Sequence, residues 1–316
     1  MDSVNRVRDG SRCLIHSTAM LSSDIQLGEF TSIMKGVHVG SGCRIGNYVV
    51  IHPDTIIEDG VRIDDHVTVG KLPMRAVASA FVGNVELAPA RIGQGCLIGT
   101  SAILYRGCRV GNHVLIADQA TVREQSRVGD YTIVGRGVAI ECQVDVGRRC
   151  KIEAGAYIAG PSEIGDGCFI APEVVVTNDN FMGRTEARKL HFKGISIETG
   201  GRIGANATVL PGKEIAPDGV VAAGAVVTRH VPARTIFAGI PARKFGQVPC
   251  DQLWPNQQSK YDGNIVPDYS DINDASLNSD HECTRKSGDS RTALFFDEFA
   301  FKYITAEKEK ESEHGR

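Results

Sequence analysis

RIGQGCLIGTSAILYRGCRVGNHVLIADQATVREQSRVGD, residues 91–130, carries an aliphatic side chain at every sixth position: Ile92, Ile98, Leu104, Val110, Ile116, Val122 and Val128. A period of six is neither the 3.6 of a helix nor the 2 of a long strand. It marks a short unit repeated along the chain. The register runs on without a break to Val176, is found upstream from Ile15 to Val69, and returns downstream from Ile197 to Val227. All 31 positions of this series are Ile, Leu or Val, so the repeat governs almost the whole of 15–232.

Each unit reads as a short strand plus a corner, and three units close one triangular turn. The expected fold class is therefore all-β: a parallel β-helix of about ten coils. At ~4.8 Å per coil the prism is roughly 50 Å long. Two neighbouring columns agree with this. Glycine often follows the aliphatic residue, as at Gly40, Gly46, Gly99 and Gly129, which suggests a corner with positive φ. Four residues after the aliphatic position the side chains are small or β-branched. Cys13, Cys43, Cys96, Cys108, Cys150 and Cys168 all fall there, and are expected to be small buried hydrophobes rather than a reactive set.

Composition narrows the function classes. Residues 247–316 hold 14 acidic and 8 basic side chains, leaving the body mildly basic. That balance suits a small anionic ligand and lacks the dense Lys/Arg patch of a nucleic-acid binder. There is no apolar run of ~18 residues to span a membrane. The start of the chain lacks the apolar core of a signal peptide. Nine cysteines without a C-x-x-C pair or framework spacing point to a reduced, cytoplasmic setting. The histidines show no H-x4-H pair, and no metal is expected.

The hexads, together with IGANATVLPGKEIAPDGVVAAGAVVTRHVPARTIFAGIPARKFG (203–246), resemble the hexapeptide-repeat acyltransferases. The close GAVVTRHVPARTIFAGIPARKF is similar to that family's usual ending. The resemblance implies a left-handed winding, a homotrimer with active sites between neighbouring prisms, and a coenzyme A thioester, most simply acetyl-CoA, as donor. It also implies donor-binding roles for Ala222, Ala223, Gly224, Thr228, Arg229, Arg243 and Lys244.

Two stretches interrupt the hexads, 71–91 and 177–196. Counting units from Ile15 puts both after strands of the same face, five coils apart, and excursions in solenoids gather on a binding face. The second, beginning TNDNFMGRTEARKLHFKG, is the expected reaction site. Relatives in the resembled family often carry a histidine near the start of this loop as base for a hydroxyl acceptor. Here the stretch is Thr177-Asn178-Asp179-Asn180. An amine needs less help from a base, so the pattern favours N-acyl transfer to an amino group of a sugar, in the manner of the nucleotide-amino-sugar N-acetyltransferases that it resembles. Asn178, Asp179, Asn180 and His191 are the catalytic candidates, with Asp179 or His191 receiving the proton. Arg184, Arg188 and Lys193 are acceptor-binding candidates. The alternative is O-acetyl transfer with His191 as base.

The expected organisation is a cap over 1–14, the β-helix over 15–232, a donor-side segment over 233–249, and a polar tail over 250–316, partly disordered and extended from its start. A Phe-rich docking segment is expected at 292–304 within that tail.

Overall fold

The computed structural model describes residues 12–76 and 86–257, with the backbone of Val4–Arg6. The chain divides into Met1–Gly263 and Asn264–Arg316. The second unit, the expected docking segment 292–304 and the middle of the first loop lie outside the described residues.

Strands of mostly two residues end on the hexad aliphatic position, as in Thr121–Val122 and Ala139–Ile140. Each pairs in parallel with the strand one coil on, Thr121 opposite Ala139 and Val122 opposite Ile140. Three sheets result, of 12, 10 and 12 strands. The first face carries Ile15, Ile33, Ile51 and Val69 through to Val227. The second carries Leu21, Val39 and Ile57 through to Ile215, and the third Leu27, Ile45 and Ile63 through to Val221. This is a left-handed parallel β-helix. Antiparallel strands finish it at both ends: Val4–Arg6 on Leu14–His16, and Thr235–Ala238 against Arg243–Gln247.

Hexad side chains fill the interior from one end to the other, and only Leu21 and Leu27 in the first coils are partly rather than fully buried. Burying each such side chain contributes ~1.5–3 kcal/mol. The second inward column accepts thiols and hydroxyls for a common reason. A donor there reaches the corner carbonyl of the next coil, fifteen residues on. Cys96 Sγ donates to Gly111 O at 3.0 Å, Thr132 Oγ1 to Gly147 O at 2.9 Å and Ser126 Oγ to Glu141 O at 2.6 Å. Burial pushes the Cys96 thiol up to about 11 and Cys108 to about 12, so neither is a nucleophile at neutral pH.

Apart from Gly70, whose φ is 80°, the glycines after the aliphatic position have a different cause from the one their sequence suggests. Positive φ falls two residues later, at Phe30, Tyr48, His66 and Gly95. Gly46 is required because coils approach closely: a Cβ there would meet Asp65 Oδ1 at 2.4 Å and Asp64 C at 2.9 Å. Asp65 cannot yield, since its Oδ1 accepts the amide of Asn47 at 2.6 Å and stitches the two coils together. Gly46→Ala should cost about 1–3 kcal/mol and lower the thermal midpoint by several degrees, measured by calorimetry.

The tail does not begin at 250 as a free strand of chain. Residues 250–257 form two short helical turns, Cys250–Gln252 and Trp254–Gln257. The amide of Trp254 donates to Asp218 Oδ1 at 2.7 Å; its indole covers Gly167 and its Cβ lies against Gly200, where an added Cβ would collide with it. Arg202 Nη1 donates to Gln252 Oε1 at 3.0 Å.

Candidate functional site

Both excursions leave the prism along one edge, between the first and second faces. One follows Thr68–Lys71 and the other Val175–Val176, and each returns on a second-face strand. The second loop is fixed at its root by side chains. Thr177 Oγ1 donates to Val209 O at 3.0 Å, and Asn178 Nδ2 donates to Gly160 O at 2.5 Å on the coil before.

Asp179 is the hub of the loop. Its Oδ1 accepts the amide of Phe181 at 2.8 Å. Its Oδ2 accepts the amide of Gly183 at 2.9 Å and Arg188 Nη1 at 3.2 Å. These donors, the Gly183 amide foremost, hold its carboxyl below the usual aspartate range. Its proton affinity is therefore lowered, which suits an anchor better than a base. Arg188 also lies over the Phe192 ring at 5.5 Å, and Lys189 pairs with Glu186 at 2.6 Å. Arg184, Asn180 and His191 are exposed. His191 caps the short helix Glu186–Leu190, its amide bonded to Arg188 O, with its ring 5.8 Å from that of Phe181.

Beside the loop, on the second face, lies a groove of about 640 Å³. Phe192 and Lys193 of the loop form one wall, and Lys213, Glu214 and His230 line its far end. His230 Nδ1 stands 3.6 Å from Glu214 Oε2, at 64% and 50% side-chain exposure. A histidine with a carboxylate nearby, here beyond hydrogen-bond distance, gives the groove a candidate base. In the sequence His230 is one of several histidines scattered along the solenoid. Only its position three residues after Val227, on the loop's own edge, signals it.

The donor candidates occupy two edges. Thr228 and Arg229 follow Val227 on the first face, so they share the loop's edge two coils further on. Ala222–Gly224 follow Val221 on the third face. Their amides are partly committed, Ala222 N to Phe237 O and Gly224 N to Ala205 O, both at 2.8 Å. Arg243 and Lys244 lie exposed on the closing hairpin.

Between the two loops the same edge holds a charged cluster. Glu124 is only 2% exposed and accepts both Arg123 Nε at 2.9 Å and Arg123 Nη2 at 3.0 Å. Arg75 of the first loop approaches it at 3.7 Å, and Glu141 pairs with Arg123 at 3.3 Å. Arg123 also stacks on Tyr105 at 5.1 Å. The sequence signal is faint: a charged pair at a corner where the adjacent coils carry Tyr105-Arg106 and Glu141-Cys142.

A β-helix that presents one anchored loop beside a polar groove defines a class of repeat scaffold with a site on one edge. The chain belongs to the hexapeptide-repeat family. The profile for bacterial transferase hexapeptide (six repeats) matches residues 24–57, 36–71, 89–124 and 143–178, and that for the hexapeptide repeat of succinyl-transferase matches 194–229. Among curated proteins, a 2,3,4,5-tetrahydropyridine-2,6-dicarboxylate N-acetyltransferase of Staphylococcus aureus is 47% identical over 53 residues, covering 17% of this chain and 22% of the relative. Its namesake from Enterococcus faecalis is 46% identical over 54 residues, 17% and 23% of the two chains. The matched stretch thus spans about a fifth of these relatives' length. Among solved structures, a UDP-N-acetylglucosamine acyltransferase of Francisella novicida aligns at 16% identity and TM-score 0.43, over 79% of this chain and 72% of the other.

Among the described residues no helix is long and apolar enough to cross a membrane.

Proposed function

We propose that the protein is an N-acyltransferase that moves an acetyl group from coenzyme A to an amino group of a sugar, most simply one linked to a nucleotide. The observation that carries this reading is the loop over 177–196, anchored through Asp179 beside a polar groove that holds Lys193 and Lys213. Hexapeptide-repeat membership and the N-acetyltransferase names of the curated relatives support the reaction type. In the reaction the amine nitrogen attacks the thioester carbonyl and the carbon–sulfur bond breaks. The thiolate leaves and is protonated, and the amine's proton passes to a base.

Asn178 and Asp179 hold the loop, while Asn180 and His191 face the acceptor and His191 takes the proton. Arg184 and Lys193 bind the acceptor's anionic part, and Arg188 steadies Asp179. Ala222, Ala223, Gly224, Thr228 and Arg229 flank the donor arm, and Arg243 and Lys244 meet its phosphates. Most of the rate comes from holding the two reactants together.

The protein acts in this reading as a cytoplasmic homotrimer. Support comes from the outward column of the first face, which holds no charged residue among Leu14, Ser32, Val50, Thr68, Ile103, Thr121, Ala139, Tyr157, Val175, Thr208 and Val226. A second copy packed there would bring a neighbour's edge to the loop.

The pair His230–Glu214 favours a second reading, O-acetyl transfer, because a hydroxyl acceptor needs a base. Matched amino and hydroxy sugars separate the two. With an amine acceptor, His191→Ala should lower turnover about 10²-fold and His230→Ala should leave it within about threefold of the parent. Near-complete loss in His230→Ala, with activity only on the hydroxy sugar, would establish the second reading.

A further inference from the structure

Three arginines stand in register on the outer surface of the second face. Arg91 lies opposite Arg109, and Arg109 opposite Arg127, on successive coils. Each is exposed, and each precedes a buried aliphatic residue that fixes its outward direction. They line a groove of about 580 Å³. Glu58, Asp59 and Asp145 also line it, yet none of the three arginines forms an ion pair among the described residues. Asp59 Oδ1 is turned to the Ser41 amide at 2.7 Å, and Arg148 pairs with Asp130 at 3.6 Å.

Like charges directly opposite on neighbouring strands destabilise a sheet. A row of three that forms no ion pair among the described residues is therefore a surface that gains from an anion. The row is bounded: Arg91 is preceded in the column by Ile56, and Arg127 is followed by Asp145. The cationic length is thus two coil steps, ~10 Å. Guanidinium groups bind phosphoryl oxygens bidentately. At ~4.8 Å spacing, neighbouring arginines suit neighbouring phosphoryl groups of one chain and gain little from a single phosphate.

We propose that Arg91, Arg109 and Arg127 form a binding site for a linear oligophosphate, either the phosphate chain of a nucleoside diphosphate or an inorganic one. Arg127 and Asp145 line both this groove and the one beside the loop, so the two are continuous along the second face. A nucleoside diphosphate ester on the arginine row would extend its ester group toward Lys193. The binding claim stands independently of the acyl-transfer reading.

Calorimetric titration of the full chain tests it, with inorganic triphosphate, uridine diphosphate and orthophosphate as probes. Saturable binding of the triphosphate or the nucleotide is expected, with orthophosphate at least tenfold weaker. Arg109→Gln should weaken the binding at least tenfold at an unchanged thermal midpoint. The double variant Arg243→Gln/Lys244→Gln should leave it intact. Tighter binding of the nucleotide than of triphosphate identifies a nucleotide ligand, and the reverse an inorganic one. Absence of saturable binding, equal affinity in Arg109→Gln, or loss only in the double variant would overturn the proposal. A lower sedimentation mass for Arg109→Gln would also overturn it, by assigning the row to a contact between copies. A thermal shift with acetyl-CoA, run in parallel, reports on the acyl-transfer reading separately.

Discussion

Ile152→Asp should yield no cooperatively folded protein. Ile152 has no solvent exposure, and its strand Lys151–Ile152 pairs with Ile133–Val134 on one side and Phe169–Ile170 on the other. Removing a buried isoleucine costs ~2–5 kcal/mol as alanine. A carboxylate adds the larger cost of a buried group with no donor or cation in reach. A solenoid has only neighbour-to-neighbour contacts, so a broken middle coil separates two halves that cannot compensate for each other. The total stability of a domain is only ~5–15 kcal/mol. Leu27→Asp is the matched control. Leu27 is half-buried in the first coils, and water can reach its position. It should fold, with a lowered midpoint. Circular dichroism melts decide: a cooperative transition in Ile152→Asp like that of Leu27→Asp would contradict the packing account.

The second large effect is on transfer. Asp179→Ala should keep the parent's melting profile and lower acyl transfer by about 10²-fold or more, because a reacting group displaced by ~1 Å loses about that much. The substitution strips acceptors from the amides of Phe181 and Gly183 and frees Arg188. Asp179→Asn keeps one carbonyl oxygen and loses the charge, so its loss should be about tenfold. The sign of the pH effect follows from the lowered carboxyl. Anchoring is complete above the ordinary aspartate value near 3.8 and fades as pH falls through the depressed value in the folded state. Hydrogen exchange of the loop amides should therefore quicken, relative to the prism, only in acid. Quickening above pH 5 would contradict this assignment. Transfer in Asp179→Ala equal to the parent would remove Asp179 from the site.

The fold was legible because a six-residue period leaves little choice. Each aliphatic position had to face one interior, and Ile92 to Val176 does so without exception. The shared edge of the two loops was also legible, since it follows from counting units in threes. What local sequence hides is any cause that lies a whole coil away. Gly46 looks like a corner glycine, but its reason is Asp65, nineteen residues on. The same holds for the site. Asp179 reads as a base from its residue type, and only its donors show it as an anchor. Glu124 and Arg123 are in sequence only an adjacent charged pair, yet the coil geometry buries the carboxylate. His230 meets Glu214 across one coil step. Trp254 lies after the last hexad in a polar stretch, where nothing in the sequence says that it covers Gly167 and Gly200.

The most direct test of the central claim is transfer itself. Purified protein is mixed with acetyl-CoA and nucleotide-linked amino sugars, each beside its hydroxy counterpart, while released thiol and product mass are followed together. The account predicts thiol release that matches formation of an N-acetylated sugar, with the hydroxy counterparts inert. It would be contradicted by no thiol release with any acceptor, together with no thermal shift by any coenzyme A thioester.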